Sequence, residues 1–468
     1  MRDLLAIYSA RLCTDLLRFF KLGNGSSLPG RVALKLFPDL LVKANTEINQ
    51  NPNALKIMVS GTNGKTTSVG LLDSIYENIK DKENLISNRL GANLYYGIST
   101  AFCNFQGSFK EADFILEVDE AALKTLVKHI KPNIMAFTNI FRDQLDRFGE
   151  IDATKHLLEE ALALVKDIPD FKLVLNYDDI KLRSISIEET QNIYFFSLEA
   201  AAGCEALFDN LFNLDKDQSL FIDKAENYTN QHFIRAKLKS LGVKDSVFDL
   251  VYEDKSVEVH LNLPGIYNIY NALLAATVFI AAGLDLETIA KGISAYKGAF
   301  GRSQTVLINS LESNIYLIKN PRGASEVLNM LKSDKNSLYM IIINDNYADG
   351  RDVSWLWDAD FETLVKARLD AGNSSGTNIN EHINEYAGDI RNSSKISYIC
   401  SGHRAYDMAL RLKYAGASSD EIYVEENIEM ALDYATKIAN LQDKKSLNIL
   451  PTYTALLDLE KKLELTRI

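Results

Sequence analysis

The residues best suited to chemistry lie in one short string, Ser60-Gly61-Thr62-Asn63-Gly64-Lys65-Thr66-Thr67. Gly61 and Gly64 allow backbone N–H groups to curl around an oxyanion, Lys65 adds a point charge, and the Thr66 hydroxyl is placed to reach a magnesium ion. Binding of nucleotide phosphates is the chemistry such a string serves. Gly61, Thr62, Asn63, Gly64, Lys65, Thr66 and Thr67 are therefore the candidate contacts for ATP. The spacing also dictates the elements around them. Ile57, Met58 and Val59 predict a buried strand before the turn, and Val69, Leu72, Ile75 and Ile79 predict a helix after it, its positive end aimed at the phosphates. The general Walker pattern wants a glycine five residues before Gly64, and this chain has Val59 there.

Glu117 and Asp119 close a second predicted strand, Asp113 to Val118. Two residues apart, they share a face if extended, so Glu117 can join Thr66 in an oxygen shell for magnesium. Asp119 is equally suited to cap the helix that follows. The string Thr138-Asn139-Ile140-Phe141-Arg142-Asp143-Gln144 offers Asn139, Arg142 and Asp143 as phosphate or substrate contacts, or simply a charged loop. Gly298-Ala299-Phe300-Gly301-Arg302 marks a domain junction, and an arginine there can stabilise charge developing on a transferred phosphoryl group. Asn344 to Asp352 reads as a polar turn after a buried strand, with Trp355 and Trp357 beside it as an interface would use.

From residue 55 to about 298, apolar runs (Asp113 to Val118, Asn133 to Thr138, Lys172 to Asn176) alternate with helical patterns (Ala121 to Ile130, Asp152 to Val165). The alternation predicts an α/β fold with a parallel, doubly wound sheet, whose ligands bind beyond the carboxyl ends of its strands. Residues 197–247 break the rhythm with polar clusters and read as an insertion. A second, smaller α/β unit is expected over 299–468, with strands at Ile315 to Ile318, Leu338 to Ile343 and Ile396 to Cys400, and a loop over 371–395. Before the nucleotide loop, Leu4 to Phe20 predicts an amphipathic helix and Arg31 to Asn45 another. Some fifty residues there are too few for a separate domain of ordinary size.

The chain has 468 residues, 47% apolar and 24% charged, with a net charge of -12. That balance suits a soluble protein and argues against a nucleic-acid surface, which needs clustered Lys and Arg. No secretory signal and no bilayer-spanning run is evident, so a cytoplasmic location is expected. Cys13, Cys103, Cys204 and Cys400 form no CxxC pair, which fits free thiols in a reducing compartment.

The string from Gly61 to Thr67 resembles the nucleotide loop of the Mur ligase family, which joins amino acids or peptides to carboxylates using ATP. The strings Ile343 to Asp360, Ser401 to Gly416 and Leu450 to Leu457 resemble the MurT branch over nearly the whole chain. The resemblance implies a Mur ligase central domain over 1–298 and a Rossmann-like C-terminal domain over 299–468. It implies ATP and Mg2+ held by the loop, with Thr66 and Glu117 as metal ligands. Asn268 and Asn271, at the start of an apolar helix, would lie near the adenine and phosphates; Lys319, Asn320 and Arg302 would contact the nucleotide from the C-terminal side. Asp349 would orient the catalytic histidine of a GatD-type glutamine amidotransferase partner. The implied reaction is amidation of the D-glutamate α-carboxylate of lipid II at the inner face of the membrane. Alternatives are a ligase adding an amino acid to a muropeptide or folate, and a non-catalytic nucleotide-binding scaffold. Lys155 sits near a lysine that several Mur ligases carbamylate. Two departures stand out: Gln144 replaces a family histidine near a second magnesium, and only Cys204 occurs where MurT proteins carry a four-cysteine ribbon, so no zinc is expected.

Overall fold

A computed structural model describes residues 2–19, 27–88, 92–140, 151–185, 192–199, 231–242, 245–298, 302–332, 334, 336–372 and 396–463. The chain divides into two units, one of Met1–Arg142 with Glu150–Lys297, the other containing Gly298–Ile468.

The first unit opens with helices α1 (Arg2–Phe19), α2 (Leu28–Leu36) and α3 (Leu40–Ile48). The expected helix from Arg31 to Asn45 is in fact two, because Pro38 lacks the N–H and disfavours helical backbone in the residue before it. Strand β1 (Lys56–Ser60) then leads through the glycine turn into α4 (Lys65–Tyr76). There follow β2 (Leu85–Ser87), α5 (Tyr95–Asn104), β3 (Asp113–Glu117), α6 (Glu120–Leu126), β4 (Ile134–Phe137), β5 (Lys172–Asn176), β6 (Asn192–Glu199), β7 (Gln231–Leu241), β8 (Ser246–Tyr252) and β9 (Lys255–Leu261). They form one sheet in the order β2-β3-β1-β4-β5-β6-β7-β8-β9.

From β2 to β7 every pairing is parallel, as the alternation predicted; β7-β8 and β8-β9 are antiparallel. The insertion expected from 197 is thus corrected at both ends. β6 runs to Glu199, and Gln231–Leu241 is a strand whose buried residues Ile234, Ala236 and Leu238 alternate with exposed Arg235, Lys237 and Lys239. That period-two signal was present but masked by its charged outer face. Residues 200–230, with Cys204, lie outside the described residues. Helix Ile266–Ala281 is buried along almost its whole length and packs on α4 and β6. It carries almost no polar residue after its first turn, as a helix enclosed on all sides should.

The second unit has a six-stranded sheet in the order β10-β11-β15-β12-β13-β14, from β10 (Arg302–Ile308), β11 (Leu311–Tyr316), β12 (Ser337–Ile342), β13 (Tyr398–Ser401), β14 (Ile422–Val424) and β15 (Ser446–Pro451). Only β10-β11 is antiparallel. β15 lies in the middle of the sheet, although of its residues the sequence had singled out only Leu450 and Pro451, at the start of the string Leu450 to Leu457. The proline ends the strand, and all six residues are buried.

Candidate active site

Parallel pairing places the chemistry. Val59 is in register with Glu117 on one side and Ala136 on the other, so the loop after β1, the end of β3 and Thr138-Asn139 after β4 meet at one sheet edge. Asn139 fixes the loop from behind. Its side-chain oxygen accepts the Asn63 N–H at 2.9 Å, its amide donates to the Asn63 carbonyl at 3.1 Å, and its own carbonyl accepts the Thr62 N–H at 2.9 Å.

The two glycines are required by space as well as conformation. Gly61 has φ +121° and Gly64 φ +86°. A Cβ on Gly61 would sit 2.3 Å from Thr138 Oγ1, and one on Gly64 2.1 Å from Asn271 Oδ1. Asn271 is held there by Ser68 Oγ, which donates to its Oδ1 at 3.3 Å, and its amide donates to Asn268 Oδ1 at 3.3 Å. Asn268 in turn donates to the Pro264 carbonyl at 2.7 Å. Both asparagines are buried, so they shape the loop's floor from helix Ile266–Ala281. A Gly64→Ala variant is expected to lose about 1–3 kcal/mol from backbone strain and to bind a fluorescent ATP analogue more weakly, read by thermal melting and titration; unchanged affinity would refute this account of the loop.

Thr66 Oγ1 donates to Glu117 Oε2 at 2.6 Å. Asn93 Nδ2 donates to the other carboxylate oxygen at 3.1 Å, while Asn88 brackets the Glu117 backbone, accepting its N–H at 2.9 Å and donating to its carbonyl at 2.7 Å. A hydroxyl and an oriented carboxylate oxygen in contact are a fit for magnesium, which takes oxygen ligands, retains several waters and needs only one or two from protein. Among the described residues no group of three or more His, Cys, Asp or Glu is placed to hold a metal. Asp119 caps α6 instead, accepting the Ala121 N–H at 3.1 Å.

Sequence reasoning missed Glu120. Lys65 Nζ lies 3.2 and 3.4 Å from its two carboxylate oxygens and also donates to the Gly61 and Thr62 carbonyls. Both side chains are about nine-tenths buried. Burial pushes the Glu120 carboxyl up despite the opposing pull of Lys65. The only sequence signal was an acid in the first turn of α6, three residues after Glu117. Replacing Glu120 by Gln removes a charge that competes with phosphate for the Lys65 ammonium. The expected result is nucleotide affinity raised about tenfold, equivalent to about 1.4 kcal/mol, with a lower melting temperature in the absence of nucleotide. Weaker binding by a folded E120Q would overturn this.

Other expected residues are placed differently. Lys155 Nζ donates to Ser184 Oγ at 3.0 Å and lies 3.7 Å from Glu159. Arg142, Asp143 and Gln144 fall outside the described residues, as does the side chain of Arg302. Asn320 is fully buried and caps helix Pro321–Leu331 by accepting the Gly323 N–H at 2.8 Å, next to Lys319. Its oxygen is thereby committed to the helix.

In the second unit, Asp349 is only 5% exposed and lies in a cage rather than on an open loop. Its Oδ1 accepts the Thr454 N–H at 2.7 Å; its Oδ2 accepts the Thr454 hydroxyl and, at 3.2 Å, the Asn346 N–H. Asn346 and Asn344 amides donate to Thr454 Oγ1 at 2.8 and 3.2 Å, which orients that hydroxyl. Burial pushes the Asp349 carboxyl up, opposed by the Thr454 hydrogen bonds. His403 is exposed, its ring 3.3 Å from Asp345. Of the two tryptophans expected at an interface, Trp355 is buried and Trp357 is half-exposed, edge-on to Tyr414 at 5.3 Å. Buried Arg411 fixes this turn: it forks onto both Glu362 oxygens at 2.9 and 2.7 Å and donates to the Leu356 and Ala359 carbonyls. Tyr347, Tyr406 and Leu410 are exposed as well.

Fold and site together define a Mur-type ligase: a family model described as the Mur ligase middle domain matches residues 59–279. The fold is shared with MurF from Acinetobacter baumannii (TM-score 0.63, 16% identity, 93% of this chain and 79% of that one) and with folylpolyglutamate synthase from Thermotoga maritima (TM-score 0.54, 14% identity, 91% and 93%). A second model, MurT ligase C-terminal, matches residues 317–384 and 387–456. The chain is 31% identical over 467 residues to the MurT subunit of the glutamine-hydrolysing lipid II isoglutaminyl synthase of Streptococcus pneumoniae R6, covering 95% of this chain and 93% of that protein. It is also 31% identical over 481 residues to the MurT subunit of Staphylococcus aureus COL, covering 97% and 96%. The chain belongs to the MurT family.

Proposed function

We propose that this protein is the ATP-dependent ligase subunit of a lipid II isoglutaminyl synthase, amidating the α-carboxylate of D-glutamate in the lipid II stem peptide with ammonia from a GatD-type glutaminase. The observation that carries this reading is kinship to MurT subunits along nearly the full length of the chain. An intact nucleotide loop on the same chain supports turnover rather than a scaffold role.

In this mechanism the substrate carboxylate oxygen attacks the γ-phosphorus of ATP and ADP departs with the bonding electrons, giving an acyl phosphate. Ammonia then attacks the acyl carbon, phosphate leaves, and loss of a proton yields the amide. Catalysis is by positioning and charge stabilisation, so no side chain need act as nucleophile. The loop N–H groups cradle the phosphates and Lys65 neutralises charge at the transferred group. Thr66 and Glu117 would hold magnesium, which would supply neutralisation of phosphate charge. Asp349, oriented by Thr454, receives the Nδ1–H of the glutaminase histidine and holds the tautomer that serves a catalytic cysteine. The exposed aromatics Tyr347, Trp357, Tyr406 and Tyr414 of the same unit would supply partner surface.

The test is reconstitution with a GatD-type glutaminase and mass measurement of lipid II. A loss of about 1 Da per molecule, the replacement of a hydroxyl by an amino group, dependent on both ATP and glutamine, is expected. ATP hydrolysis triggered by an amino-acid acceptor, without that change, would refute it in favour of an amino-acid-adding ligase.

A further inference from the structure

Among the described residues, one face of α1 is left exposed. Ala6, Ala10 and Thr14 turn inward, and the helix packs on α2 and α5. Arg11 secures it by donating to the carbonyls of Cys103 and Phe105. On the far side Leu5, Tyr8, Leu12 and Leu16 are 60, 64, 60 and 47% exposed. Their spacing of three and four residues makes them one continuous stripe, about two to three helical turns long.

We propose that this stripe docks the protein on the surface of an anionic phospholipid bilayer. Three observations favour a lipid surface. The helix cannot span: Arg11 and Asp15 interrupt it, and no helix among the described residues is long and apolar enough to cross a membrane. A short helix with one apolar stripe and a polar remainder instead lies in the headgroup plane, with a tyrosine ring suited to that boundary. Charge agrees. In a chain whose net charge is -12, α1 and the α2 helix it packs on together carry five Arg and Lys against two Asp, the sign that anionic lipid attracts. A second copy is the weaker occupant, because four side chains offer well under the roughly 800 Å² per partner that a stable interface buries. The proposal rests on the reading that the substrate is lipid-linked: a docked α1 would hold the ligase in the layer where that substrate resides.

The experiment sediments the full-length protein with vesicles of phosphatidylglycerol and phosphatidylcholine, beside vesicles of phosphatidylcholine alone. The protein is expected to pellet with the anionic vesicles and to be released by salt. Leu5→Ser/Leu12→Ser/Leu16→Ser should bind at least about tenfold more weakly with an unchanged melting temperature. It should also amidate detergent-dispersed lipid II as fast as the parent while lagging on lipid II in vesicles. Failure of the parent to pellet, equal binding by the triple variant, or an α1-dependent dimer in sedimentation velocity would overturn the proposal. Vesicle binding without amidation of detergent-dispersed lipid II would keep the docking surface and sink the functional reading instead.

Discussion

Lys65→Ala is expected to lose amidation with either nitrogen source, by about a thousandfold in turnover, the scale of removing one preorganised charge-stabilising group. Both sources should fail together, because in the proposed mechanism the lysine acts at phosphoryl transfer, before ammonia enters. The substitution has a second consequence that must be separated from the first. It leaves the Glu120 carboxylate, 8% exposed, without the ammonium 3.2 Å away, and breaking a buried pair from one side costs about 3–5 kcal/mol. A Lys65→Ala/Glu120→Ala double variant removes both charges and is expected to recover most of the melting temperature and none of the activity. Recovery of amidation by the double variant would show that Lys65 matters only for folding.

Asp349→Asn is expected to separate the two nitrogen sources. Glutamine-dependent amidation falls by about 10²- to 10⁴-fold, the range known when the carboxylate that orients a catalytic histidine becomes an amide. Amidation with free ammonium chloride stays within a few-fold. The change also disturbs the cage, since an amide –NH2 in place of one oxygen faces the donors of Thr454 or Asn346 at a cost of about 1–3 kcal/mol. Thr454→Val controls for this: it removes the hydroxyl and leaves the carboxylate, so it should destabilise similarly while retaining far more glutamine-dependent activity. Equal loss with both nitrogen sources in Asp349→Asn would instead assign the residue to the ligase reaction.

Much of the first unit was legible because its signals are local. A strand, two glycines and Lys-Thr-Thr occupy twelve consecutive residues, Lys56 to Thr67, and each helix or strand beside them shows its own period. A charged outer face defeated the same reading at β7, where alternation was present but Arg235, Lys237 and Lys239 occupy its outward positions. Pairs that meet across the sheet had no such signal. Nothing near Lys65 in the chain indicates Glu120, and nothing near Asp349 indicates Thr454, 105 residues away.

The sequence alone determined the kind of chemistry, because phosphate binding by a loop needs only neighbouring residues in a particular order. It determined the kinship too, because long strings of side chains at an interface or turn are distinctive when read in line. Tertiary structure decided which polar groups are free to act. Register between β1 and β3 brings Glu117 to Thr66, helix Ile266–Ala281 places Asn271 under Gly64, and capping commits Asn320 and Asp119 elsewhere. These depend on contacts between residues far apart in the chain, and burial is a property of the packed whole. The same packing left four apolar residues of α1 facing outward, where periodicity alone had predicted only an amphipathic helix.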